Sequence, residues 1–145
     1  VAEDHVLSTG AYDPYMHIFM DAGNGNVLAF FELPQQPDMD RDQNTPKWVQ
    51  HIAMKLDNLE SLNAAKVSIE SHGINVIGPT NHGIFKSIYF FDPNGHRLEL
   101  AVNTHTQEQM RELHLVAPDL LFHWITTKQA PRHSASLLPQ IANYY

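Results

Sequence analysis

At 145 residues, with 43% hydrophobic content, the chain is long enough for one ordinary domain with its own core. Sixteen acidic against nine basic residues give a formal charge of −7, which argues against nucleic acid or an anionic membrane surface as partner and leaves small molecules. The absence of cysteine excludes disulfides, thiolate zinc sites and a cysteine nucleophile; with no signal peptide or spanning segment in sight, a cytoplasmic protein is expected.

From His17 the sequence HIFMDAGNGNVLAFFELP places two apolar, aromatic-rich runs around Gly-Asn-Gly, which predicts a hairpin with strands near 16–21 and 26–33. The polar, proline- and aspartate-rich stretch QQPDMDRDQNTP (35–46) has no periodicity and reads as a connector. WVQHIAMKL (48–56) predicts a strand with Val49, His51 and Ala53 on one face and His51 near its middle. Asp57 with Glu60 resembles a capping box; Leu59, Leu62, Ala65 and Ile69, with Gly73 beyond them, predict a helix of three to four turns packed on a sheet. INVIGP and FKSIYFFDPNGHRLELAVN supply a short strand and a hairpin turning at Asp92-Pro93-Asn94-Gly95, so Trp48 to Asn103 runs βαβββ. Thr104 to about Lys128 looks helical, with Pro118 either starting a second helix or kinking the first; an irregular arm is expected from Ala130. Of the ten histidines, His105, His114 and His123 recur every nine residues, which on a helix puts successive members on opposite faces and excludes a shared metal site.

Laying Gly25 on Gly95 exposes an internal repeat, in which IFMDAGNGNVLAFF runs alongside IYFFDPNGHRLELA, with Asn24 on Asn94, Leu28 on Leu98, His17 on Ser87 and Ala29 on Glu99. The first unit therefore reads as the second half of another βαβββ module, and the chain starts mid-module. The expected organisation is 1–34 for that half-module, 35–47 for the linker, 48–103 for the complete module and 104–145 for a helical extension and tail.

A strand histidine in VQHIA, a helix ending in HGI, and SIYFFDPNGHRLELA with a glutamate four residues after the turn glycine together resemble the vicinal oxygen chelate superfamily, the group of the glyoxalases, bleomycin resistance proteins and extradiol dioxygenases. The match covers about residues 15–103. The resemblance implies an α+β fold of paired βαβββ modules forming a half-barrel, the first incomplete here, with a metal ion in its mouth. It places the metal ligands at His51 and Glu99. A mixed nitrogen and oxygen set suits a divalent ion: iron(II) (Fe2+) first, with Mn2+, Ni2+ or Zn2+ as alternatives. The bland reading makes His51 a hydrogen-bonded sheet histidine and Glu99 an exposed strand residue.

Ala29 opposite Glu99 in the repeat cannot ligate, which favours the extradiol pattern of two histidines and one carboxylate over a glyoxalase pattern with a carboxylate from each module. Glu32 and His17 are further candidate ligands, although Glu32 falls on the strand face away from Ala29. Extradiol enzymes also carry a histidine, a serine and a tyrosine before the ligand glutamate; here His82 and Tyr89 are the candidate catalytic pair, with Ser87 and Phe19 lining the pocket and Phe31 and Tyr15 as further aromatic wall. The third ligand, a histidine on the first strand of the first module, has no counterpart in the sequence. The resulting expectation is a dioxygenase-like oxidoreductase acting on a small aromatic molecule, active as a homodimer. Alternatives are a glyoxalase-like lyase or isomerase, and a metal-free ligand-binding protein of the bleomycin-resistance kind.

Overall fold

The computed structural model describes residues 2–129 apart from 7, 24 and 38–43, so the irregular arm expected from Ala130 lies outside the described residues, as does the middle of the connector. The chain divides into two units after residue 43, each with its own sheet.

The first unit is an antiparallel meander of β1 (Ala2–His5), β2 (Tyr12–Asp21) and β3 (Val27–Glu32). The Gly-Asn-Gly turn forms as its composition requires: Asn26 N–H donates to the Gly23 carbonyl at 2.9 Å, and Gly23 and Gly25 take positive φ of 81° and 77°. Across the hairpin Phe19 faces Ala29, Met20 faces Leu28 and Asp21 faces Val27.

The second unit runs β4 (His51–Lys55), α1 (Leu59–Ser71), β5 (Ile77–Asn81), β6 (Phe85–Phe91), β7 (Arg97–Asn103) and α2 (Gln107–Thr127), with sheet order β4-β7-β6-β5. β4 lies parallel to β7, a pairing that needs a crossover, and α1 supplies it. Tyr89 faces Glu99, Phe90 faces Leu98 and Phe91 faces Arg97, the register of the first hairpin seventy residues later. The turn between β6 and β7 is tied by Asp92, whose Oδ1 accepts from His96 N–H at 2.8 Å while its carbonyl accepts from Gly95 N–H at 3.0 Å.

One face of this sheet is core. Ile88 and Val102 are buried with Leu62 of α1 and with Val76, and Ala65, Ile69, Phe90 and Leu100 pack around them. The opposite face, which carries Ser87, Tyr89, Arg97 and Glu99 by the period of two, is left for polar chemistry. At the corresponding core-side positions of the first unit Met16, Ile18, Met20 and Phe30 stay exposed.

Three local expectations are revised. His51 is the first residue of β4 rather than a mid-strand residue, because a turn closed by Val49 N–H on the Pro46 carbonyl (3.0 Å) takes the preceding residues out of the sheet. The helix cap is Asn58, not Asp57: its Oδ1 accepts from Ser61 N–H at 2.9 Å. Of the two roles open to Pro118, starting a second helix is ruled out: it lies inside α2, which runs unbroken from a Thr106–Gln109 capping box to its C-cap at Lys128. Among the described residues no helix is long and apolar enough to cross a membrane.

Candidate metal centre

His51 leaves β4 where its ring is held from both sides. Nδ1 lies 3.0 Å from the Val49 carbonyl, and Nε2 lies 2.8 Å from Glu99 Oε2. A carbonyl only accepts, so Nδ1 carries the proton and Nε2 presents a lone pair to a carboxylate that also only accepts. Two facing lone pairs require something positive between them: a shared proton or a cation. A backbone carbonyl fixing the far nitrogen is also the usual way a metal-binding histidine is oriented.

Glu99 is 4% exposed and Ser87 is fully buried; the Ser87 hydroxyl donates to Oε1, the carboxylate oxygen that His51 does not use. A buried carboxylate is costly unless its lone pairs are engaged, and here both oxygens are. Two ligands at right angles about 2.0–2.2 Å from one ion sit about 3 Å apart, so the separation of 2.8 Å between His51 Nε2 and Glu99 Oε2 fits a shared divalent ion.

Beside this pair stands a second one. Tyr89, which faces Glu99 across the β6–β7 ladder, has its hydroxyl 2.8 Å from His82 Nε2, and the His82 ring stacks on Phe85 with centroids 4.4 Å apart. Burial pushes the Tyr89 hydroxyl above the ordinary tyrosine range; the Ser87 side chain opposes this, the Glu99 charge adds to it, and the Arg97 guanidinium opposes it. Burial thus favours the protonated hydroxyl, which donates to His82 Nε2 in the tautomer that carries the imidazole proton on Nδ1. The His51 ring meets Tyr89 edge-on at 6.0 Å, so the two pairs are adjacent.

Of the residues singled out in the sequence, His51, His82, Ser87, Tyr89 and Glu99 come together in the second unit. His17, Phe19 and Glu32 belong to the first. There His17 sits in an aromatic group with Tyr15, Phe19 and Phe31, at centroid distances of 4.6–5.5 Å. Glu32 faces Met16 and lines a hollow of about 380 Å3 with Glu3 and Asp4. Among the described residues no group of three His, Asp or Glu side chains converges as a metal cage.

Sequence reasoning missed Arg97. Its guanidinium carbon lies 4.0 Å above the Tyr89 ring centroid, and Nη1 donates to the Trp48 carbonyl at 2.9 Å. The signal was available: Arg97 is two residues before Glu99 and so shares its face.

A family model, the glyoxalase/bleomycin resistance protein/dioxygenase superfamily, matches residues 1–100. The chain belongs to this superfamily. Among its members, the metallothiol transferase FosB of Shouchella clausii is 31% identical over 119 residues, covering 74% of this chain and 80% of that protein. MhqA of Bacillus subtilis, assigned as a ring-cleaving dioxygenase, is 26% identical over 86 residues, covering 59% of this chain but only 27% of its own length. Among solved structures, a glyoxalase/dioxygenase from Nostoc punctiforme is 22% identical with a TM-score of 0.48, covering 63% of this chain and 61% of its own. The fosfomycin resistance protein FosX of Listeria monocytogenes, determined with Mn(II) and sulfate, is 27% identical with a TM-score of 0.39 over 50% of this chain and 58% of its own. The mixed α+β class expected from the sequence is the class observed, two sheets with a C-terminal helix, and it is that of the superfamily.

Proposed function

We propose that the chain is a metal-dependent enzyme of the ring-cleaving dioxygenase type, acting on a small aromatic molecule with vicinal oxygens. The observation that carries this reading is the convergence of His51 Nε2 and Glu99 Oε2 at 2.8 Å with the far nitrogen of His51 already committed to the Val49 carbonyl. His51 and Glu99 are two ligands of a divalent ion, Fe2+ first and Mn2+, Ni2+ or Zn2+ otherwise. Among the described residues of the second unit no third His, Asp or Glu joins them. When bound, such an ion supplies Lewis acidity and open positions for two substrate oxygens and dioxygen.

The chain's own part is orientation and proton movement. Ser87 holds the Glu99 carboxylate by one oxygen, leaving the other for the metal. The Tyr89 hydroxyl, kept protonated by burial, donates to His82 Nε2, so a substrate hydroxyl that gives its proton to the Tyr89 oxygen passes one on to His82, which becomes an imidazolium. The reading carries with it residues 1–34 as part of an earlier βαβββ module, a homodimeric state and a cytoplasmic location.

Elemental analysis of purified protein, repeated for His51→Ala and Glu99→Ala, tests the centre, and oxygen uptake with catechol tests the reaction. Bound metal is expected in the parent and its loss in both variants; undiminished metal in both overturns the ligand assignment. A second reading, transfer of a thiol to a small electrophile, is favoured by the longer and higher match to the metallothiol transferase. Thiol consumption with fosfomycin, and no oxygen uptake with catechol, selects it.

A further inference from the structure

The proposed centre has one charged group that its chemistry does not use. Arg97 opens β7, pairs in register with His51 of β4, and leaves the sheet on the same face as Glu99. Its guanidinium is tethered at Nη1 to the Trp48 carbonyl and lies over the Tyr89 ring, while Nε is buried and makes no hydrogen bond among the described residues. Among the described residues no carboxylate pairs with it: the Glu99 oxygens are held by His51 and Ser87. A half-buried guanidinium with a spare donor and no counter-ion is under-compensated, because buried charge is ordinarily paired. Its planar fork matches the two oxygens of a carboxylate better than any neutral group.

We propose that Arg97 receives an oxyanion carried by the substrate, a carboxylate-type group in addition to the oxygens that address the metal, and so selects acidic over neutral substrates. This rests on the reading of His51 and Glu99 as a substrate-binding metal centre. The stack on Tyr89 and the bond to Trp48 hold the guanidinium in place before any ligand arrives, so the selection requires no rearrangement of the fork.

The probes are 3,4-dihydroxybenzoate and catechol, which differ only by the carboxylate, with binding measured by calorimetry to the metal-loaded protein. The parent is expected to bind 3,4-dihydroxybenzoate about ten- to hundredfold more tightly, the worth of a charge-assisted hydrogen bond. Arg97→Met removes the difference between the two probes, and Arg97→Lys keeps part of it. Inorganic sulfate should compete with 3,4-dihydroxybenzoate and not with catechol in the parent, a measurement that survives poor folding of the variants. Equal binding of the two probes by the parent, no binding of 3,4-dihydroxybenzoate at all, or a preference that persists in Arg97→Met overturns the proposal. Repeating the titrations on chelated protein separates the two failures: the carboxylate preference follows Arg97, whereas affinity for catechol follows the metal.

Discussion

Ser87→Ala removes a single oxygen from the site without touching His51 or Glu99. Ser87 is 0% exposed and donates to an oxygen of Glu99, itself 4% exposed, so the variant removes a hydrogen bond from a buried carboxylate. A hydrogen bond to a charged group contributes about 1.5–3 kcal/mol, and no apolar volume is lost to add a cavity cost. With a urea dependence of about 1–3 kcal/mol per molar for a chain of this size, the unfolding midpoint of metal-free protein should fall by about 1 M. The same hydroxyl fixes which carboxylate oxygen turns toward His51, and loss of such an orienting group typically lowers metal affinity about 10–100-fold. Urea unfolding and a manganese titration, run on one preparation, measure both. A midpoint shift with unchanged manganese affinity refutes the orienting role and leaves Ser87 a purely structural residue. If neither moves, the carboxylate is not held as described.

Gly78 sits in the irregular pairing of β5 with β6 at φ +106°, where an added Cβ would lie 2.6 Å from the Ser87 carbonyl oxygen and 2.8 Å from Thr80 N. Gly78→Ala should cost about 1–3 kcal/mol, read as a lower thermal midpoint, and should loosen the Ser87 segment of β6 in hydrogen exchange. Tyr89 should titrate above the ordinary tyrosine range in near-ultraviolet absorbance of the metal-free protein, because burial disfavours the phenolate. Folding then favours the protonated form: the stability it contributes is whole below the unfolded-state pKa near about 10 and is lost as pH rises through the higher folded-state value. Tyr89→Phe should flatten that alkaline decline; an unchanged decline refutes the assignment.

The duplicated hairpin was legible in the sequence because turn chemistry and side-chain alternation are both local. The offset that lays Gly25 on Gly95 is the offset of the two ladders, Phe19 on Ala29 and Tyr89 on Glu99. Strand β1 was not legible: Ala-Glu-Asp-His has no apolar alternation, all four residues are exposed, and only backbone pairing with β2 makes it a strand. The start of β4 was misread because Trp48 and Val49 continue an apolar pattern that the turn at Pro46 interrupts. Asp57 and Asn58 are both competent caps, and the choice between neighbours depends on which backbone leaves the strand extended. The His82–Tyr89 contact and the place of Arg97 are tertiary facts, set by how β6 and β7 pair.

The two hairpins also act as controls for one another. They share turn type and register, so a residue chosen for the frame alone should recur at equivalent positions. On the core side the apolar character does recur, with Leu28 at the place of Leu98 and Ile18 at that of Ile88. On the other side it does not: Ala29 stands where Glu99 stands, and Phe19 where Tyr89 stands. Ala29 shows that the frame is satisfied by a methyl group at this position. Placing a carboxylate there instead means desolvating a charge, which costs several kcal/mol and is offset by Ser87 on one oxygen and His51 on the other. Stability alone gives no reason to prefer this arrangement, since an apolar residue fills the equivalent position in the same chain. A ligand role for Glu99 gives one, and it explains together why Ser87 is buried beside it and why His51 is locked by the Val49 carbonyl.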